Sequence, residues 1–349
     1  MSSKKVINSI QFLRGLAAFV VVVYHIGGYI KRYFTTTFLG DFFDFGFAGV
    51  DLFFVISGFI IHFTSKNYLD NPSTLGKYLK KRLLRVYPIY WIVLTVLFGL
   101  SWFITLILQK DVFNIGYPYT ISAFLQTYFL TPLHFAINPV TWTLSYELFF
   151  YLCFSLLIIS RRLSFIPILL ILVSLYNIIF IHDEYRKHFN FIFSGYNLEF
   201  MFGFLIYQFY DKIKFQNWIS VLLIVISLAI IIHYGYDIID YDYQKRVLTF
   251  GVPSAFLLIA MLNLENNQAI RIPSFTITLG DASYVLYLIH FPLLLLMNKI
   301  PSIIGWEVSN LAAVLYNIFI IIITVLISIF IHKKIEKPLS KYLSTITKA

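Results

Sequence analysis

Apolar stretches of about 20 residues recur from one end of the chain to the other, each long enough to cross a hydrocarbon core of roughly 30 Å as a helix. That recurrence excludes a water-soluble fold. Of 349 residues, 59% are hydrophobic and only 13% are charged, about half the share in an ordinary soluble domain. The polar–apolar alternation that marks the strands of a membrane barrel is missing. Apolar runs bounded by charges and prolines predict about ten spans, over 10–29, 46–64, 87–108, 139–159, 164–181, 196–210, 217–233, 247–263, 282–299 and 309–332. The stretch 112–135 is aromatic and nearly uncharged but holds Pro118, Pro132 and His134, and reads as an interfacial or re-entrant segment, or as an extra pair of short helices. The expected fold is therefore an all-α integral membrane bundle, one domain over 1–349, with neither an internal repeat nor a low-complexity linker. The first run carries Arg14 and His25 and is too long and too polar for a cleaved signal segment, so it reads as a retained first span.

The formal net charge of +10 would suit nucleic acid only if the basic residues formed a surface, and they do not. They sit between the apolar segments, where they report orientation and contact with anionic headgroups of membrane lipids, so no nucleic-acid partner is expected. With the N-terminus in the cytoplasm, about 18 basic residues fall inside and about 8 outside. The heaviest clusters, Lys77 to Arg85, Arg161 with Arg162, and Lys333 to Lys341, all land on the inner side, which predicts that both termini are cytoplasmic. Cys153 is the only cysteine, so no intramolecular disulfide forms.

An ionisable group inside a span costs about 2.5–3.5 kcal/mol on the insertion scale, so each one needs a reason. Arg14 and His25 are eleven residues apart, three helical turns, on nearly the same face and roughly 16 Å apart along the axis. The plainer reading is that Arg14 reaches to headgroups and His25 hydrogen-bonds a neighbour. Glu147 lies about two turns into a span entering from outside, at a depth compatible with His25, where it would orient the imidazole or stabilise its charged form. Arg82 and Arg85, at i and i+3, would present two guanidinium forks on adjacent turns, or serve simply as a cytoplasmic anchor. Tyr284, Tyr287 and His290 advance by three along one side of the ninth span, a stripe more often due to packing. Ser57 with Gly58 reads as small residues permitting close helix approach, and Asp51 either caps its helix or lines an entrance. His62, His134, His182, His188, His233 and His332 lie near predicted ends or in loops without metal-ligand spacing, and no metal is expected.

Five ordered segments carry a resemblance. They are Phe12-Leu13-Arg14-Gly15-Leu16-Ala17-Ala18 running to Tyr24-His25; Gly49-Val50-Asp51-Leu52-Phe53-Phe54-Val55-Ile56-Ser57-Gly58-Phe59; Arg82-Leu83-Leu84-Arg85-Val86-Tyr87-Pro88; Trp142-Thr143-Leu144-Ser145-Tyr146-Glu147; and Ser283-Tyr284-Val285-Leu286-Tyr287-Leu288-Ile289-His290-Phe291-Pro292. Together they resemble membrane acyltransferase family three, the multispanning O-acyltransferases that modify bacterial surface glycans.

The resemblance implies transfer of an acyl group, acetyl above all, from cytoplasmic acyl-CoA to a hydroxyl of a polysaccharide, glycolipid or lipid-linked precursor, in the inner membrane. It implies His25 as catalytic base and links Arg14, Arg82 and Arg85 to acyl-CoA use, with acyl-CoA a donor substrate rather than a resident cofactor. An imidazole near neutrality suits removal of a hydroxyl proton, and a transient acyl-histidine is the competing route. Glu147 would assist His25 or bond the acceptor, with Tyr284, Tyr287, His290, Asp51 and Ser57 as supporting groups. Many relatives continue into a periplasmic hydrolase-like domain, whereas this chain stops at Ala349. Ten helices with buried Arg, His and Glu equally describe a transporter or exporter, and the same site used from the other face would acylate a soluble acceptor. Pairing with a second copy, as a homodimer, stays open.

Overall fold

The structure, a computed structural model, describes residues 7–34, 36–108, 120–132, 137–180, 191–237, 246–306 and 308–346. These residues form helices and turns with no strand, an all-α membrane bundle. In chain order the α-helices are α1 (Asn8–Phe34), α2 (Gly49–Ser65), α3 (Leu75–Leu108), α4 (Ile121–Tyr128), α5 (Trp142–Ile159), α6 (Phe165–Phe180), α7 (Tyr196–Gln208), α8 (Asn217–Asp237), α9 (Val252–Asn266), α10 (Ser274–Asp281), α11 (Ser283–Ile303), α12 (Asn310–Ile331) and α13 (Lys337–Ile346). Nine helical stretches among the described residues are long and apolar enough to cross a membrane. The expected span over 196–210 is the exception. It folds as α7, whose 13 residues rise only about 20 Å, short of a full crossing. Of the segment expected to be interfacial or re-entrant, 120–132 is described. It contains α4, whose last carbonyls accept from Tyr90 Oη to Thr127 at 2.6 Å, Tyr87 Oη to Phe129 at 3.0 Å and Trp91 Nε1 to Tyr128 at 3.1 Å. Pro118 and His134 lie outside the described residues.

Burial separates centre from rim. The stretch containing α2 is 72% buried across its most apolar window, the one containing α6 only 6%. The large apolar side chains exposed on α3, α6, α8 and α12, among them Trp102, Leu172, Trp218 and Phe319, therefore face lipid. Two backbone crossings set the centre. A Cβ on Gly203 of α7 would lie 1.8 Å from the Val55 carbonyl oxygen of α2, and one on Gly58 of α2 would lie 1.9 Å from the Phe200 oxygen. Likewise α1 meets α10, where a Cβ on Gly280 would stand 1.9 Å from the Gln11 oxygen. Small residues let helices without a hydrophobic driving force between them gain packing at close range, and in the α2–α7 crossing this is the role expected of Gly58.

Helix α1 is fixed at its start by a carboxylate from α9. Glu265 accepts from the backbone N–H groups of Asn8 and Ser9 at 2.8 and 2.9 Å and from Ser9 Oγ at 2.5 Å, satisfying donors that a helix leaves open and favouring its positive end. Two prolines inside α11 remove backbone bonds, and side chains replace both. Pro292 frees the Leu288 carbonyl, which accepts from Asn138 Nδ2 at 2.7 Å. Pro301 frees the Met297 carbonyl, which accepts from Tyr316 Oη at 2.7 Å; each leaves no bare carbonyl in the bundle.

Replacing Gly203 by Ala should lower the thermal unfolding midpoint in detergent by the equivalent of at least about 1–3 kcal/mol, the usual cost of overpacking. Gly99→Ala, whose Cβ meets nothing within 4 Å, should leave it unchanged or raise it. Equal tolerance of the two changes would contradict the α2–α7 crossing.

Candidate active site

A narrow cavity of about 70 Å³ opens among α1, α2, α3, α5 and α11. Arg14 enters it from α1, Ser57 from α2, Arg85 from α3, Thr143 and Glu147 from α5, and Ser283, Tyr284 and Tyr287 from α11. Its charged end holds both arginines. Arg14 Nη1 donates to Gln11 Oε1 at 3.1 Å, and neither Arg14 nor Arg85 forms an ion pair with a described carboxylate. Glu147 and Glu336 act on both guanidinium groups from a longer range, and Glu147 itself accepts from Tyr151 Oη. Arg85 is accessible as a residue rather than buried, and its side chain lines the cavity. Tyr284 closes this end by donating to the Val86 carbonyl at 2.6 Å. Ser283 Oγ, fully buried, has no hydrogen-bond partner among the described residues.

The other end is aromatic. Tyr287 donates to the Val140 carbonyl at 3.0 Å, receives a hydrogen bond from Thr143 Oγ1 at 3.1 Å, and meets Phe53 edge to face at 5.8 Å. One turn further along α11 stands His290, fully buried, with its ring 5.6 Å from that of Tyr287. Its Nε2 lies 3.3 Å from Nδ1 of His25, and the two rings are 5.1 Å apart. His25 Nδ1 also sits 2.9 Å from the Val21 carbonyl, and His290 Nδ1 sits 2.7 Å from that of Tyr287. His25 is half-buried, flanked by Tyr24 and Phe291. Arginine end, aromatic partition and histidine pair thus follow one another along the bundle.

The residues singled out in the sequence divide into three groups. Arg14, Arg85, Glu147, Ser57, Tyr284 and Tyr287 gather at the cavity. Glu147 was expected beside His25, but it stands at the arginine end and the group touching His25 is His290. Arg82 does not join Arg85 at the cavity, although the i, i+3 spacing sets the two only about 60° apart around one helix. Its guanidinium is buried, bonded to Thr64 Oγ1 and to Ser65 Oγ at 2.8 Å, and lies over Tyr78 and Tyr151. Asp51 is not among the residues lining the cavity and is fully buried, held by Arg246 Nε at 2.8 Å and Nη2 at 2.7 Å. His62 bonds the Phe204 carbonyl at 3.1 Å and stacks on that ring. His332 pairs with Glu336 at 2.6 Å. His182 and His188, like His134, lie outside the described residues. Among the described residues no three His, Cys, Asp or Glu side chains come together as a metal-ligand set.

Sequence reading missed Glu199, Arg246, Tyr151 and Glu336. Glu199 carried a signal, since it falls inside the expected span 196–210 and an intramembrane carboxylate is informative on its own. It is fully buried near Asp51 and Arg246, so one guanidinium faces two carboxylates. Arg246 carried none, because nothing links a residue at a span's edge to Asp51 at the far end of the sequence. A π-helical turn, Val247–Gly251, directly follows it, a distortion often found beside functional groups.

Arg246→Met should strip the countercharge from this cluster and cost about 3–5 kcal/mol of stability, read from unfolding midpoints, with the double variant Asp51→Leu/Arg246→Met recovering part of the loss. A loss no larger than that of the exposed Arg271→Met would refute the pairing.

Sequence comparisons bear on this arrangement. The chain is 28% identical over 313 residues to the exopolysaccharide production protein ExoZ of Rhizobium meliloti (strain 1021), covering 86% of this chain and 91% of that one. It is 26% identical to the O-acetyltransferase OatA of Staphylococcus aureus (strain NCTC 8325 / PS 47), where 98% of this chain spans 58% of the relative. A putative acetyltransferase of the Acidianus two-tailed virus is 26% identical over 84% of each chain. No solved structure matches the chain. The profile of the acyltransferase domain matches residues 7–333, from the first turn of α1 to the end of α12, so it takes in the arginines, the aromatic partition and both histidines; the chain belongs to this acyltransferase family, as a multispanning membrane member.

Proposed function

We propose that this protein moves an acyl group, acetyl above all, from acyl-CoA on the cytoplasmic side to a hydroxyl of a cell-surface polysaccharide, glycolipid or lipid-linked precursor. The observation that carries the reading is that α1 bears both Arg14, in the charged cavity, and His25, roughly 16 Å along the same helix. Arg14 and the accessible Arg85 suit the phosphates of the donor, since guanidinium forks match phosphate oxygens. A pantetheine arm is of comparable length to the axial distance, so a thioester anchored at the arginines reaches the histidines. There His25 takes the proton of the acceptor hydroxyl as its oxygen attacks the thioester carbon. The carbon–sulfur bond then breaks, and the departing thiolate recovers that proton from His25. The polysaccharide acceptor is supported by the relative named for exopolysaccharide production and the acetyl group by the relative named as an O-acetyltransferase. The distribution of basic residues supports an inner-membrane protein with both termini in the cytoplasm.

Purified protein should release CoA from acetyl-CoA only when acceptor glycan is supplied, and His25→Ala should cut that release by about 10²–10⁴-fold while its unfolding midpoint stays put. Wild-type turnover in a folded His25→Ala protein would remove the base from this scheme. Mass spectrometry of surface glycan from cells with and without the gene checks the acceptor class, and an unchanged ester content would reject it.

Arg85→Met should raise KM for acetyl-CoA by about 10–150-fold, the weight of about 1.5–3 kcal/mol for a hydrogen bond to a charged group, with kcat less affected. Arg85→Lys should fall between, because a point charge lacks the fork. A KM indifferent to both changes would place the donor elsewhere.

A further inference from the structure

The hydrogen-bond network around the two histidines fixes which nitrogens carry protons. A main-chain carbonyl only accepts, so His290 Nδ1, 2.7 Å from the Tyr287 oxygen and 3.2 Å from that of Leu286, must carry a hydrogen. No described carboxylate bonds either ring, and His290 is fully buried, so it is neutral and its Nε2 is a bare acceptor. That nitrogen is 3.3 Å from His25 Nδ1. His25 Nδ1 also faces the Val21 carbonyl at 2.9 Å, so it too carries a hydrogen, shared in a three-centre bond between Val21 and His290. The lone pair left on neutral His25 is then on Nε2, on the opposite edge of the ring.

We propose that His290 is the positioning residue for His25, accepting its Nδ1 hydrogen so that Nε2 is the atom that takes the acceptor's proton. The proposal rests on the reading of His25 as base given above. His290 does by a neutral nitrogen what a carboxylate does in a serine hydrolase triad: it fixes tautomer and ring plane, and it strengthens its hold as His25 becomes imidazolium and the Nδ1 hydrogen grows more acidic. Two imidazolium rings whose facing nitrogens are 3.3 Å apart would repel strongly in an apolar setting, so the pair holds one extra proton and not two. The proton taken from the hydroxyl oxygen during attack therefore stays on the pair until the carbon–sulfur bond breaks, and then passes from His25 Nε2 to the CoA sulfur. Tyr287 joins the device to the cavity, since its carbonyl orients His290 while its side chain lines the cavity's aromatic end.

The test uses full-length protein labelled with ¹⁵N-histidine, free of donor and acceptor. A scalar coupling across the hydrogen bond between His25 Nδ1 and His290 Nε2 should be visible, and His290→Phe should abolish it. The same variant should lose about 10- to 100-fold in kcat with KM for acetyl-CoA within about 2-fold. His290→Gln, whose amide oxygen accepts near the position of Nε2, should recover most of that rate. If His290→Phe does not fold, the wild-type coupling and the His290→Gln rate still decide the matter. Absence of coupling in the wild type, wild-type kcat in folded His290→Phe, or a His290→Gln rate below one-tenth of wild type would each overturn the proposal. Retained turnover in His25→Ala beside an intact wild-type coupling would instead overturn the reading of His25 on which it rests.

Discussion

Inside a hydrocarbon layer a polar group without a partner has no water to turn to, and this requirement organises the bundle. It explains why the chain is helical, since a helix satisfies its own backbone. It also explains the exceptions, where α11 breaks its ladder at Pro292 and Pro301 and side chains from neighbouring segments supply the missing donors. The Asn138 bond to the Leu288 carbonyl lies beside His290. The tyrosines of the same helix, Tyr284 and Tyr287, line the cavity.

The same requirement sorts the charged residues. Arg82 and Asp51 are satisfied within the protein, the first by hydroxyls and aromatic faces, the second by Arg246. Arg85 has no such partner among the described residues, and Arg14 has only a neutral amide. Arg14 and Arg85 thus face one cavity without an ion pair among the described residues. At the opposite end the histidines bond each other and three main-chain carbonyls, with the rings of Phe53 and Tyr287 between them and the arginines. Helix α1 runs through both ends, capped by Glu265 and pressed against α10 at Gly280, so the distance between Arg14 and His25 is set by a rigid element.

Much of this was legible beforehand for a physical reason: hydrophobic length is a local property. Span positions, the small residues at Gly58 and the stripe from Tyr284 to His290 follow from composition and helical period alone. The shortness of α7 was not legible, because its apolar run continues past Gln208 and only its packing under α2 shows where the helix stops. Neither was the parting of Arg82 from Arg85, since spacing gives an angle between side chains but not which neighbours occupy each direction.

By itself the sequence determined that the chain crosses a membrane repeatedly as helices, and that Arg14 and His25 share one face of the first. Those facts depend on the solvent and on 3.6 residues per turn, and neither needs a neighbour. Only the tertiary structure decided that Glu147 stands with the arginines, that Arg246 reaches Asp51 across 195 residues of chain, and that His25 meets His290 rather than a carboxylate. Those outcomes depend on which helix faces lie together, and that is settled by how side chains of different helices fill the space between them.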